Sequence, residues 1–430
     1  MTERFKEHQF VAGAVLARHP QAHGARWPQR VCRNVVQGMV AAALLSMAGQ
    51  ANASDEPVPR YTIEGALTGL AQSVNGAGSA TGKSQTRLGY RGDLVATINT
   101  PGLRGGDGTL NLHLRFGQGE GVSTRDTYTG AVNSLAFSSA AGSSNAVGVL
   151  AQAYYETSFP VGQSGMSARI SVGKLDPFGF FDQNAIADDE SAGFLNNVFV
   201  HNPMLDSGGD ISADDYGFTP GLVLAFGGTA SATRSWGVSA GVFAAGDGTT
   251  FDASPRRPWW LVQAESSRLD ADGEPVGTWR LLFWQNRQSE DLNGNTQTHS
   301  GWGLSADERI LDDLTMFARL GQRTSGVASF DWAVTTGLEW QAGRMGRPDD
   351  ALGFALGSLH TDKAYRDHTA NGTAVGYAAS GRESSMELFY RIGLGEGFHV
   401  SPSVQWVRRP GGDPNAGTVR VIGLRANVSF

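Results

Sequence analysis

A chain of 430 residues with a formal net charge of −7 lacks the basic balance of a nucleic-acid-binding protein. Its 58 glycines come with only 16 prolines and no tripeptide period, which excludes a collagen. A hydrophobic content of 40% is low for a bundle of membrane helices, but it suits a membrane barrel, in which only alternate strand residues face lipid.

The first 53 residues read as a secretory signal. Arg26, Arg30 and Arg33 form a basic region, Val35 to Gly49 is largely apolar and uncharged, and Ala51-Asn52-Ala53 supplies a small-x-small cleavage pattern. That apolar stretch is shorter than the ~20 residues a spanning helix needs, so removal of 1–53 is expected rather than anchoring. The mature chain, 54–430, would carry 28 Lys/Arg against 39 Asp/Glu, a formal charge of −11. The single cysteine, Cys32, falls within the signal, so the mature chain has no disulfide and no cysteine metal site.

After Ser54 no apolar run reaches eighteen residues. A membrane location would therefore require a closed sheet, with strands alternating lipid-facing and lumen-facing side chains. Such alternation recurs. Leu88, Tyr90, Leu94, Ala96 and Ile98 interleave with Arg87, Gly89, Arg91, Asp93 and Thr97, and Leu110, Leu112, Leu114 and Phe116 with Asn111, His113, Arg115 and Gly117. Near the end, Phe398, Val400, Val404 and Trp406 interleave with His399, Ser401, Ser403 and Gln405. In the last segment Ile422, Leu424, Ala426, Val428 and Phe430 oppose Gly423, Arg425, Asn427 and Ser429. A terminal Phe in register with the apolar face resembles the last strand of bacterial outer-membrane proteins.

The pattern predicts strands at 61–70, 84–98, 108–118, 149–159, 166–175, 216–227, 234–245, 258–269, 278–288, 299–310, 313–322, 329–341, 351–361, 383–394, 398–408 and 418–430. The fold class is thus all-β, a transmembrane antiparallel barrel of about 16 strands, wide enough for a water-filled lumen. Tyr61, Phe159, Trp259, Trp260, Trp279, Trp302, Trp340 and Tyr390 sit near predicted strand ends, where interfacial aromatic girdles belong.

Between Lys174 and Arg234 there is no Lys or Arg, yet the stretch holds Asp176, Asp182, Asp188, Asp189, Glu190, Asp206, Asp210, Asp214 and Asp215. The part at about 177–215 breaks the alternation and is far longer than a hairpin turn, which marks a functional or disordered loop. Phe178, Phe180, Phe181, Phe194, Leu195 and Phe199 favour order, because disordered segments are poor in aromatics.

The run from Gly173 to Phe226 resembles the most recognisable segment of the carbohydrate-selective porin family. It carries Leu175-Asp176, Phe181-Asp182-Gln183-Asn184, Asp188-Asp189, Phe194-Leu195-Asn196, Asn202 and Tyr216-Gly217-Phe218-Thr219-Pro220-Gly221, departing where Gly193 replaces a common Gln and in the Ser207 to Asp210 linker. The resemblance implies a bacterial outer-membrane channel for sugars such as glucose, narrowed by the long loop folding inward.

The residues suggest how. Asp182, Asn184, Asp188, Asp189, Glu190, Asn196 and Asn202 would form the constriction, facing a pore wall of Arg87, Arg91, His113, Arg115 and Arg169. Carboxylates accept and guanidinium groups donate hydrogen bonds to sugar hydroxyls. Asp182, Asn184 and Asn196 could equally pin the loop backbone. A general or cation-selective diffusion porin is the nearest rival, since nine loop acids would attract cations. A hydrolase barrel would need a nucleophile, base and acid held together. His113, His201, His299, His360, His368 and His399 are scattered, without an elbow motif or HExxH. The expected partners are sugars as solutes, outer-membrane lipid and, for a barrel of this width, further copies in a homotrimer. No cofactor, metal or nucleic acid is expected.

Overall fold

The computed structural model describes residues 60–130, 132–136, 146–162, 165–208, 210–251 and 257–430. The expected signal, 1–53, and Cys32 lie outside the described residues. Sixteen strands form one closed antiparallel barrel, each bonded to its sequence neighbours, with the last joined to the first. They are β1 (Tyr61–Val74), β2 (Gln85–Pro101), β3 (Asp107–Gln118), β4 (Val147–Val161), β5 (Met166–Leu175), β6 (Thr219–Ser231), β7 (Arg234–Phe243) and β8 (Trp259–Leu269). The others are β9 (Pro275–Glu290), β10 (Thr296–Leu311), β11 (Leu314–Ser325), β12 (Phe330–Gln341), β13 (Ala351–Thr361), β14 (Arg382–Gly395), β15 (Phe398–Arg408) and β16 (Val419–Ser429).

Closure runs from Ala66 opposite Ser429 to Val74 opposite Val421. The seam is finished by Phe430, whose amide donates to the Gly65 carbonyl at 2.9 Å while the Gly65 amide donates back at 2.8 Å. Closing the ladder removes the unpaired edge that an open sheet would present to lipid.

The barrel is inside-out relative to a water-soluble fold. Ile422 is 65% exposed and Leu88 74%, whereas Arg425 is 1% and Arg319 2% exposed. Alternation alone produces this, since each apolar residue of the two-residue period points to the outer surface. At one end of the barrel the connections are short: 102–106, 162–165, 232–233, 270–274, 312–313 and 396–397, with 342–350 longer. The other end carries 119–146, 176–218, 244–258 and 362–381, the long loops that face the cell exterior in such barrels.

The inner face is not polar all round. Trp259, Leu261, Leu282, Trp284, Phe317, Phe389 and Leu359 point inward and join one buried cluster with Phe181, Phe194, Phe199, Met204 and Leu205 of the 176–218 loop. The expectation that Trp259 belongs to an interfacial girdle is therefore corrected. Its neighbour Trp260 takes the outward position at 37% exposure, and Trp259 is fully buried, stacked on Phe243 at 4.8 Å. A strand with apolar residues on both faces can meet lipid outside and an apolar loop inside.

Candidate functional site

The 176–218 loop leaves β5, folds into the barrel and returns to β6. Three Asx caps set its path. Asp176 accepts from Phe178 N at 3.0 Å ahead of Pro177, Asn196 from Val198 N at 3.2 Å, and Asn202 from Met204 N at 3.2 Å ahead of Pro203. These caps begin the short helical turns Pro177–Gly179, α1 (Asn197–Val200) and α2 (Pro203–Asp206). Asp182 adopts the left-handed conformation, φ +58°, which Asp tolerates better than most residues.

Polar anchors on successive strands then hold the loop against the wall. On β11, Arg319 donates to Asp182 Oδ1 at 3.2 Å, the Asp182 carbonyl at 3.1 Å, the Phe199 carbonyl at 2.8 Å and the Ala187 carbonyl at 2.8 Å. On β14, the Glu387 carboxylate accepts from Leu195 N and Asn196 N, both at 2.8 Å. On β16, Arg425 donates to the carbonyls of Glu190, Ala192 and Gly193 at 2.7, 2.8 and 2.9 Å. At the return end, Asp210 accepts from Trp284 Nε1 at 2.6 Å, lies 2.7 Å from His299 Nδ1 and pairs with Arg323 at 3.2 Å. Buried charges persist only when paired or hydrogen-bonded: Arg319 and Arg323 pair with the loop acids Asp182 and Asp210, while Glu387 and Arg425 are satisfied by loop amides and carbonyls.

Close approach needs missing side chains as well. Gly303 and Gly321 face each other on β10 and β11, and Asn202 sits over the pair. A Cβ at Gly303 would lie 2.6 Å from Asn202 Nδ2, and one at Gly321 2.5 Å from Asn202 Oδ1. Only glycine leaves that notch open.

The sequence-predicted residues divide into two sets. Asp182, Asn184, Asn196 and Asn202 are buried, and their polar atoms hold the loop and wall. Asn184, for instance, donates to the Ala306 carbonyl at 3.5 Å and accepts from Ile186 N at 3.2 Å, and Asn196 donates to Gln405 at 3.2 Å. Asp188, Asp189 and Glu190 form the edge of the loop nearest β2, where Glu190 pairs with Arg91. Asp189 is exposed and caps Ser191 at 2.7 Å, and Asp188 lies 3.4 Å from His201 Nδ1.

Opposite that edge, the wall forms a mixed cluster. Asp93 accepts from Arg91 at 2.9 Å and Arg115 at 2.7 Å and lies 2.8 Å from His113 Nε2, while Arg91 also pairs with Glu190. Lys174 pairs with Asp214 at 2.7 Å. Arg169, 55% exposed, is 3.8 Å from Glu156, and Arg87 is exposed and donates to the Thr86 carbonyl at 3.4 Å. The wall expected to be cationic thus contains its own acids, Asp93 and Glu156, on the same inward face.

Loop electrostatics follow from these neighbours. Burial opposes ionisation of Glu190, but the Arg91 and Arg115 guanidiniums outweigh it and hold its carboxyl at about 2. Burial also opposes a charged His201, yet the Asp188 carboxylate beside it, helped by Asp206, raises the imidazole to about 9. Its ring lies flat on Phe178 at 3.9 Å. Burial lifts Asp176, Asp188 and Asp206 above the usual carboxylate range.

Sequence reading missed Arg319, Arg323, Glu387, Arg425 and Asp210 as anchors. The signal was available for four of them: Arg319, Arg323, Glu387 and Arg425 fall on the inward side of the alternation of late strands, beside inward Trp, Phe and Leu.

The sequence model described as carbohydrate-selective porin, OprB family, matches residues 87–430. The chain belongs to that family. This porin is similar over 156 residues, at 26% identity, to Porin AaxA of Chlamydia pneumoniae; the match covers 36% of the chain and spans about a third (33%) of that relative's length. Its fold is similar to a solved high-pH structure of Pseudomonas putida OprB, with TM-score 0.68 and 16% identity, covering 92% of this chain and 97% of the other. The anion-selective porin from Comamonas acidovorans is a more distant fold relative, with TM-score 0.51 and 12% identity over 86% of this chain and 99% of that one. Family and barrel together place this porin in the bacterial outer membrane, as a channel.

Proposed function

We propose that this porin passes monosaccharides such as glucose, along the inward face of β2–β5 beside the inward loop. The observation that carries the reading is charge balance. Arg91, Arg115 and Lys174 stand against Asp93, Glu190 and Asp214 in a set of direct ion pairs. Of the loop's acids, Asp182 and Asp210 are neutralised by buried arginines, and Asp188 by His201. The net acidity that favours a cation-selective rival is therefore largely compensated where the solute would pass. A path lined by fixed donors beside fixed acceptors favours a neutral polyol, which offers both, over a bare ion. Weak binding at such groups also allows exit.

Liposome swelling tests this directly. Purified protein in vesicles should admit monosaccharides faster than disaccharides and faster than charged solutes of matched size. Rates ordered by charge alone would transfer the assignment to a diffusion porin. The same reading includes barrels associated as homotrimers, checked by the protein mass of the detergent-extracted particle in light scattering.

A further inference from the structure

β14 begins at Arg382, β15 ends at Arg408, and Arg420 is the second residue of β16. All three lie at the long-loop end of the barrel, and alternation puts them on its outer surface. Arg382 shares a side with Leu388, Arg408 with Trp406, and Arg420 with Ile422 and Leu424, while the intervening Glu383, Val407, Val419 and Val421 are buried inward. Ser384 is level with Arg408, and Trp406 with Arg420. Each arginine is therefore offset by two residues from the next, the diagonal relation that sets Cβ atoms roughly 7–8 Å apart.

The row continues across β13 and β12. His360 is level with Arg382, and Trp332 with His360. The Arg382 guanidinium lies 5.5 Å from the Trp332 ring centroid, and His360 stacks on the same ring at 5.4 Å, with its Nδ1 2.7 Å from Asp331. The three arginines are exposed, and among the described residues none forms an ion pair. Their concentration is local. The corresponding outward rim of β9, β10 and β11 carries Gln285, Arg287, Ser300, Gln322 and Thr324 with the exposed Glu290 at the end of β9, a single cation with an acid on the same strand.

We propose that this outward face of β12–β16 docks a phosphorylated lipid of the outer leaflet. Three uncompensated guanidiniums on a chain of net charge −7 are complementary to phosphate, which their forked donors bind in bidentate fashion. The occupant is a lipid rather than a free anion because the same face runs straight into an apolar band. Leu388, Val404, Ile422 and Leu424 lie one to three outward positions further into the bilayer, where acyl chains would follow the headgroup. Trp332 sits at the height where an indole favours the interface and holds Arg382 from one side.

The test is retention of lipid by the full-length folded protein in detergent, read by native mass spectrometry during titration with diphosphoryl lipid A. The parent protein should bind it, and the triple variant R382Q/R408Q/R420Q should bind at least tenfold more weakly. R287Q, on the other side of the rim, should bind as the parent does. Lipid A stripped of its phosphates should bind at least tenfold more weakly to the parent, and equimolar inorganic phosphate should not displace diphosphoryl lipid A. Parent-like binding by the triple variant, equal binding of the phosphate-free lipid, or displacement by inorganic phosphate would each overturn the proposal. Heat-modifiable mobility on gels verifies that the barrel is folded. Should the triple variant fail that check, R408Q and R420Q singly carry the same readout, each expected to lose severalfold and each overturning the proposal by binding unchanged.

Discussion

Replacing Arg319 by methionine isolates what holds the 176–218 loop against the barrel wall. The guanidinium is fully buried and supplies four bonds to the loop, at 2.8 to 3.2 Å, spread over Asp182, Ala187 and Phe199. Methionine fills comparable volume but leaves Asp182 with a single amide partner, Asn202 N at 2.5 Å. An uncompensated buried carboxylate costs about 3–5 kcal/mol. The barrel ladders of β10, β11 and β12 are backbone bonds and lose nothing, so the strain falls on the loop, which can relieve it by moving Asp182 toward water. Single-channel recording in planar bilayers should show larger and noisier conductance than the parent, with heat-modifiable mobility retained. Adding Asp182→Asn removes the orphan charge, and the double variant should regain at least half of the conductance difference. An unchanged conductance in R319M, or a double variant further from the parent than the single, would refute the claim that this pair sets the loop.

Gly321→Ala weakens the same loop–wall contact by sterics instead of charge. Its Cβ would meet Asn202 and Met204 at 2.5 to 2.6 Å, and overpacking of this kind costs ~1–3 kcal/mol. The loop should be loosened from β11 as in R319M, and conductance should become noisier in the same way. Glu190→Gln removes the carboxylate paired with Arg91 and leaves two guanidiniums facing Asp93. The reversal potential in a salt gradient should then shift toward anion selectivity. For His201, the folded value of about 9 lies above the ordinary 6.5. The protonated ring therefore contributes stability that is fully present below 6.5 and lost as pH rises through about 9. Protease cleavage within the loop should increase across that window, and His201→Asn should flatten the dependence.

The barrel was legible in the sequence because a lipid-facing strand has a simple rule: every second residue must be apolar. Strands 166–175, 351–361 and 398–408 have the bounds read from alternation alone, and the others differ mainly at their ends. The loop was legible too, as an acidic and aromatic interruption. What it rests against was harder to see. Leu281-Leu282-Phe283-Trp284 and Trp259-Trp260-Leu261-Val262 have no alternation, because Phe283 and Trp260 meet lipid while Trp284 and Trp259 meet the loop. A period-two search treats such runs as noise. Likewise nothing in one chain pairs Arg319 with Asp182, 137 residues apart, until the barrel brings β11 to the loop.

Those irregular strands decide where the pore can be. A water-filled lumen needs a polar inner face, and this barrel has one only on part of its circumference. The inward face of β7–β14 is apolar enough that, left open to water, it would cost free energy in proportion to its area. The Phe-rich 176–218 loop removes that cost by covering it, and its buried acids meet wall arginines that would otherwise be unpaired. The loop's inward course is thus a consequence of wall composition as much as of loop length. Its 188–190 edge meets β2 through the Glu190–Arg91 pair, beside inward residues that are charged and paired. It follows that a substitution such as Phe317→Glu, deep in the covered face and far from any solute, should disturb permeation as strongly as a change at Glu190.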